Sequence, residues 1–245
     1  MANRKYYDFD MMVSGGYISD HTFNHKFGAV DGIGNNTTGT VWDIPNQLYP
    51  WTALDTPAIV NVERNNVGDN GITVTVEGLD GDYNPVSEDI TITGADQVGT
   101  QLFKRINRAF ISGAITNAGD IDIEAGAAGG TTVARIQEGY GQTLMSVFTV
   151  PAGKTAYIHR ITATAQDGKD ATGWMYVREV NGVTAFRIKH TWEFYGDGGQ
   201  YHYDFAFPLP VSEKSDIDMR VTTRDKNGRY TIAFDVLLVG DDKYD

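Results

Sequence analysis

The chain has 245 residues, enough for one or two hydrophobic cores, and its 32 acidic side chains against 20 basic ones give a formal net charge of −12. A nucleic-acid backbone is excluded as the natural partner of so negative a surface. Cysteine is absent, which excludes a disulfide framework, thiol catalysis and Cys-ligated zinc. No run of about 18 apolar residues offers a membrane span, and the start, Met1 to Tyr6, lacks the apolar stretch of a signal peptide, so synthesis in a host cytoplasm is expected. A hydrophobic content of 41% with 11% aromatics argues against long disorder.

Residues 1–40 run through a Tyr-rich start, Gly15-Gly16 and a Gly/Asn/Thr stretch from Gly28 to Gly39 with no sustained period. They read as an N-terminal arm, or an early strand followed by a loop. Within them His21 and His25 stand four apart beside Asp20, a metal-ligand spacing only if the segment is helical; a polar loop is the alternative. From Ala58 the pattern changes to period two. Ile72, Val74 and Val76 alternate with polar residues, as do Ile90 and Ile92, giving two half-buried strands around the turn Gly78 to Pro85. Asp80, Asp82 and Asn84 in that turn copy the first ligand positions of a calcium loop. Pro85 stands where the loop needs Gly and Thr91 where it needs Glu, so an EF-hand is excluded and a solvated turn competes with a looser calcium site.

Residues 100–112 fit spacing four on a helix and spacing two on a strand, and are read as strand. Ile121 and Ile123 alternate with acids, and Ala125 to Gly130 then reads as a linker. The predicted division is an arm over 1–40, a first β-sandwich over 41–125, a Gly/Ala linker over 126–130 and a second, jelly-roll-like β-sandwich over 131–245. In that second half, residues 145–150 and 155–161 read as a hairpin around Pro151-Ala152-Gly153-Lys154. The Gly-Lys-Thr of this turn is no phosphate loop, because Phe148 replaces the leading Gly and a strand follows where a helix must open. Trp174, Tyr176 and Val180 share one parity, Phe186, Ile188 and Trp192 another, Tyr201, Tyr203, Phe205 and Phe207 a third, and Tyr230 to Leu238 a fourth. The class is all-β and antiparallel, of sandwich or jelly-roll type.

No Gly-x-Ser-x-Gly elbow or other nucleophile motif is present, and the only aromatic-flanked acid worth testing is Glu193, read as facing Asp197. No catalytic residue and no cofactor is expected. Trp42, Trp51, Trp174, Trp192 and Tyr195 are candidates for a subunit interface or for stacking on sugar rings, since such side chains combine an apolar ring with a polar tip.

Val41-Trp42-Asp43-Ile44-Pro45, Leu48-Tyr49-Pro50-Trp51, Val74 to Asp80, Phe103 to Ala109, Gly141 to Met145, Phe148 to Ala156 and Lys189-His190 together carry a family likeness. Over nearly its whole length the chain resembles virion structural proteins of tailed bacteriophages, often marine ones. The resemblance implies a non-enzymatic virion protein, either capsid decoration or cement, or a tail, collar or fibre-adaptor part. A glycan-binding host-attachment module is the alternative from another class. The partners implied are other virion proteins, the major capsid protein or tail subunits, and further copies of the chain, with a trimer favoured by the symmetry of such particles.

Overall fold

The computed structural model describes residues 8–113, 116–166, 170–179, 185–195, 199–224 and 227–240. One short helix, α1 (Phe9–Ser14), begins at Asp8, whose side chain accepts from the Met11 N–H as an N-cap. Sixteen strands follow: β1 (His21–Ile33), β2 (Thr38–Thr40), β3 (Val60–Arg64), β4 (Thr73–Leu79), β5 (Pro85–Thr91), β6 (Asp96–Val98), β7 (Arg105–Ser112), β8 (Ile121–Ala125), β9 (Thr131–Ile136), β10 (Val147–Thr149), β11 (Lys154–Ala165), β12 (Ala171–Arg178), β13 (Arg187–Phe194), β14 (Gln200–Val211), β15 (Asp216–Thr223) and β16 (Gly228–Gly240). No described helix is long and apolar enough to cross a membrane.

The strands form four small antiparallel sheets. The first has the order β1-β16-β11-β14, and the second β10-β15-β12-β13 with β2 beside β15. The third has the order β6-β3-β8-β9, and the fourth β5-β4-β7. Alternation decides what each buries. Tyr230, Ile232, Phe234, Val236 and Leu238 of β16 join Ile217, Met219 and Val221 of β15 in a hydrophobic cluster supplied by the first two sheets. Val60, Val62, Val74, Val76, Ile106, Ile121 and Ile123 form a second cluster, supplied by the third and fourth sheets together with Trp42, Tyr49, Trp51 and Leu54.

Three expectations change. The stretch read as an arm, or as an early strand followed by a loop, takes the second form: it contains β1, thirteen residues long, paired to β16 from His21↔Val239 to Ile33↔Gly228 and burying Val30 and Ile33. Its alternation is masked by glycine. A Cβ on Gly28 would stand 2.4 Å from the Ser146 nitrogen and 2.7 Å from the Val41 oxygen, so the strand passes too close to its neighbours to carry a side chain there. The Gly/Ala stretch 126–130 is the tip of a hairpin joining β8 to β9 within one sheet, and the chain remains in the second cluster through Met145 and Val147. Finally, β10 and β11 are not a hairpin pair: β10 pairs with β15 and β11 with β16 and β14, so the Pro151–Lys154 turn crosses between two sheets. Residues 100–112 do form strand, from Arg105.

Candidate interaction surface

β15 is buried on both faces. Ile217, Met219 and Val221 point into the first cluster, while Asp216 and Asp218, both fully buried, point the other way. Asp216 accepts from Arg105 Nε at 2.9 Å and Thr149 Oγ1 at 2.6 Å on one oxygen, and from Arg178 Nε at 2.9 Å and Nη2 at 2.6 Å on the other. Asp218 accepts from Thr40 Oγ1, Trp51 Nε1 and Arg220 Nε, each at 2.9 Å. The guanidinium groups lie over rings, with Arg220 4.7 Å and Arg178 5.0 Å from the Phe186 centroid and Arg105 5.8 Å from that of Trp51. Two carboxylates and three guanidinium groups therefore fasten the second sheet to β7 and to the segment carrying Trp51. Asn107 of β7 adds a reciprocal pair of bonds to the Thr149 backbone, at 2.9 and 3.3 Å. Its own carbonyl accepts from Lys26 Nζ at 2.5 Å, and burial, with Arg108 nearby, brings that amine down to about 7. A charged junction this enclosed holds a fixed geometry, because any slip leaves a buried charge without its partner.

The aromatic candidates separate into two groups. Trp42, Trp51 and Trp192 are buried in the chain's own clusters and present no ring to a partner. Trp42 meets Tyr49 edge-on at 5.2 Å, Tyr49 meets Trp51 at 4.7 Å, and Trp192 stacks on Tyr201 at 5.3 Å. Trp174 is half-buried and donates to Thr222 Oγ1 at 3.1 Å. Tyr195 is 66% exposed, with the Arg224 guanidinium 5.9 Å from its ring.

The acids and histidines do not converge on one chemistry. The Asp80 carboxylate accepts the Asp82 and Asn84 backbone N–H groups at 2.9 Å each, an Asx turn that holds its own carboxyl below the usual range. Glu193 accepts from Thr172 Oγ1 and Arg224 Nη2, both at 2.9 Å, and Asp197 lies outside the described residues, as does Val180. His21 and His25 lie on a strand rather than a helix. His25 pairs with Asp235 at 2.6 Å, while His21 contacts the Ser19 carbonyl. Asp43, buried beneath the second cluster, accepts the Leu144 N–H at 2.8 Å and is pushed up to about 8 by burial.

What linear reading missed is an edge. β13 and β14 close one side of the first cluster without pairing to each other, so among the described strands each keeps one unpaired edge. Between them runs a ladder of rings: His190 contacts Tyr203 at 4.8 Å and bonds the Tyr201 hydroxyl at 2.6 Å, and Tyr203 meets Phe205 edge-on at 4.8 Å. Ile158 pairs with Leu209 and Arg160 with Asp204, so Phe205, Ala206, Phe207 and Pro208 bulge out opposite the single residue His159. The bulge breaks the parity that would place Phe207 beside Phe205 in the core, and Phe207 is 90% exposed. Ile188 and Tyr203 are also exposed nearby on the two strands. Pro208 and Pro210 were the available signal, since proline inside a strand run marks an edge or a bulge. Beside this edge, α1 roofs a cavity of about 350 Å³ on the outer face of the first sheet, lined by Phe9, Phe23, His159, Arg160, Phe205 and Asp235 among others.

No family model matches the chain, and no curated protein matches it. Among solved structures, it is similar to one titled as the infectious bursal disease virus Gx strain, at 10% identity and a TM-score of 0.28, covering 91% of this chain and 73% of that one. T=1 particles derived from the same virus give 11% identity and a TM-score of 0.23 over 92% and 71% of the two chains. Its VP2 subviral particle gives 10% and 0.24 over 91% and 73%. Likenesses this loose carry no argument about the chain.

Proposed function

We propose that the chain is a non-enzymatic structural protein of a virus particle, which joins neighbouring virion subunits through the edge formed by β13 and β14. The observation that carries this reading is Phe207, an almost fully exposed aromatic on a bulge of a strand with one free edge, with Tyr203 exposed on the same strand and Ile188 exposed on β13. An aromatic presented at that exposure costs solubility unless something covers it, and such a ring is the usual centre of an association surface. The likeness of the sequence motifs to tailed-phage virion proteins points the same way. The ion-locked junction around Asp216 suits a part that must transmit contacts rigidly, and Glu193, the acid with most claim to catalysis, is held by Arg224.

Within this reading the chain has two β-sandwiches, is a homo-oligomer with a trimer favoured, and decorates or cements a capsid; a tail, collar or fibre-adaptor position is the competing place. Three of the five aromatic candidates for an interface or for sugar stacking, Trp42, Trp51 and Trp192, lie in the interior, so either role falls to Trp174, Tyr195 and the β13–β14 edge. The test is incorporation of Phe207→Ser and Tyr203→Ser into particles, with copy number measured on gels of purified virions. Hundreds of wild-type copies place the protein on the head, whereas about 6 to 18 place it in a tail or collar ring. Normal incorporation of both folded variants refutes the edge as the docking surface.

A further inference from the structure

Strand β14 carries a knob and also walls a hole. The knob is Phe207, 90% exposed on the bulge opposite His159. The hole is the cavity of about 350 Å³ on the outer face of the first sheet, which takes lining residues from all four strands of that sheet and is roofed by α1. Its walls are apolar: Phe9 and Val13 from α1, Phe23 from β1, Leu237 from β16 and Phe205 from β14. Phe9 is 50% and Phe23 45% exposed, so the mouth presents aromatic surface to solvent. The volume lies at the small end of the range of about 300–1,000 Å³ for sites that enclose organic groups, and one phenyl ring fits within it.

The rim carries both signs of charge. Arg160 donates to Asp204 at 2.5 Å and stands 3.8 Å from Asp235, while His202 contacts Asp204 at 3.0 Å. Arg160, Asp204 and His202 are each half exposed or more, so these pairs are held at the surface and can be exchanged for those of a neighbour. A chain with a net charge of −12 repels its own copies over most of its surface. Contact between two copies needs a patch where opposite charges alternate, and this rim is such a patch.

We propose that Phe207 of one copy seats in the α1-roofed cavity of a second copy. The inference rests on the docking role of the β14 edge and names the occupant of its exposed ring. Phe205 lines the cavity and Phe207 stands two residues further along the same strand, so a copy that inserts its ring into a neighbour brings its own cavity beneath the neighbour's ring. Such a contact is isologous and closes at two copies, with the two mixed-sign rims laid against each other. The three-fold contact of a trimer would use a different surface.

Sedimentation of the full-length chain at micromolar concentration should give a dimer or an even multiple of it. Phe207→Ser removes the knob, and Ser14→Trp places an indole at an exposed lining position of the hole. Each should weaken the association about tenfold or more while circular dichroism stays that of wild type. The chain has no cysteine, so the contact can also be trapped: Phe207→Cys mixed with Ser14→Cys and oxidised should give a disulfide-linked pair in greater yield than either variant alone. A monomeric wild type, an association unchanged in either substituted chain, or a mixture that links no better than its components overturns the proposal. If the wild type is monomeric while Phe207→Ser still fails to enter particles, the pairing falls and the docking edge stands. If a Phe207-dependent dimer forms while Phe207→Ser enters particles normally, the pairing stands and the role of the edge in the particle falls.

Discussion

Replacing Asp216 with Asn keeps the shape of the side chain and removes its charge from beneath Arg105 and Arg178, which are 4% and 14% exposed. Five donor contacts converge on this carboxylate, two from each arginine and one from Thr149. After substitution one of its two acceptors becomes a donor facing guanidinium, and both cations stay buried. Breaking a buried pair in this way costs about 3–5 kcal/mol. Arg105 retains Asp55 at 3.1 Å and the Lys104 carbonyl at 2.7 Å, which favours the lower end, about 3 kcal/mol. In a chain of this length that lowers the Tm by about 6–12 °C. The assay is differential scanning calorimetry of wild type and Asp216→Asn, with Asp216→Leu combined with Arg105→Met and Arg178→Met as the apolar replacement. The triple variant should recover much of the loss, because no charge remains to be left unpaired. A single variant within about 1 kcal/mol of wild type refutes the claim that this network locks the junction.

Asp43→Asn tests a second buried carboxyl. Its folded-state value of about 8 lies above the ordinary 3.8, so the folded chain favours the protonated form. The stability this gives is complete below about pH 3.8 and is lost as pH rises toward 8, on the order of 5 kcal/mol in all. The variant, which cannot ionise there, should gain on wild type steadily from pH 5 to pH 8.5 in melting experiments; a constant difference across that range contradicts the burial argument. Deleting residues 1–14 should leave the chain folded by circular dichroism. Deleting 1–33 should abolish the cooperative melt, because it removes β1 and uncovers β16, and a folded 34–245 fragment would show that β1 is dispensable.

The all-β class was legible because Val74, Val76, Ile90 and Ile92, and later Tyr230 to Leu238, alternate without interruption. β1 was not, since Gly28 sits where a core side chain should stand and Lys26 and His25 break the remaining pattern. Trp51 was a candidate for an interface or for sugar stacking because its ring joins an apolar body to a polar tip. Its bond to Asp218 spans 167 positions, and no local pattern announces such a partner. Phe207 shares the sequence parity of Tyr203 and Phe205, and only the bulge opposite His159 changes where it points. The cavity beneath α1 takes its lining from β1, β11, β14 and β16, so strand pairing alone brings its walls together. Strand faces can be read from period two, whereas sites assembled across strands depend on pairings that period two does not encode.

The docking claim meets its most direct test in the quantity of Phe207→Ser variant found in purified particles, after circular dichroism and melting have established that the variant is folded. Phe207 is 90% exposed, so its replacement should leave the melt within about 1 kcal/mol of wild type while incorporation falls at least tenfold. Wild-type copy number in the variant particles would contradict the account.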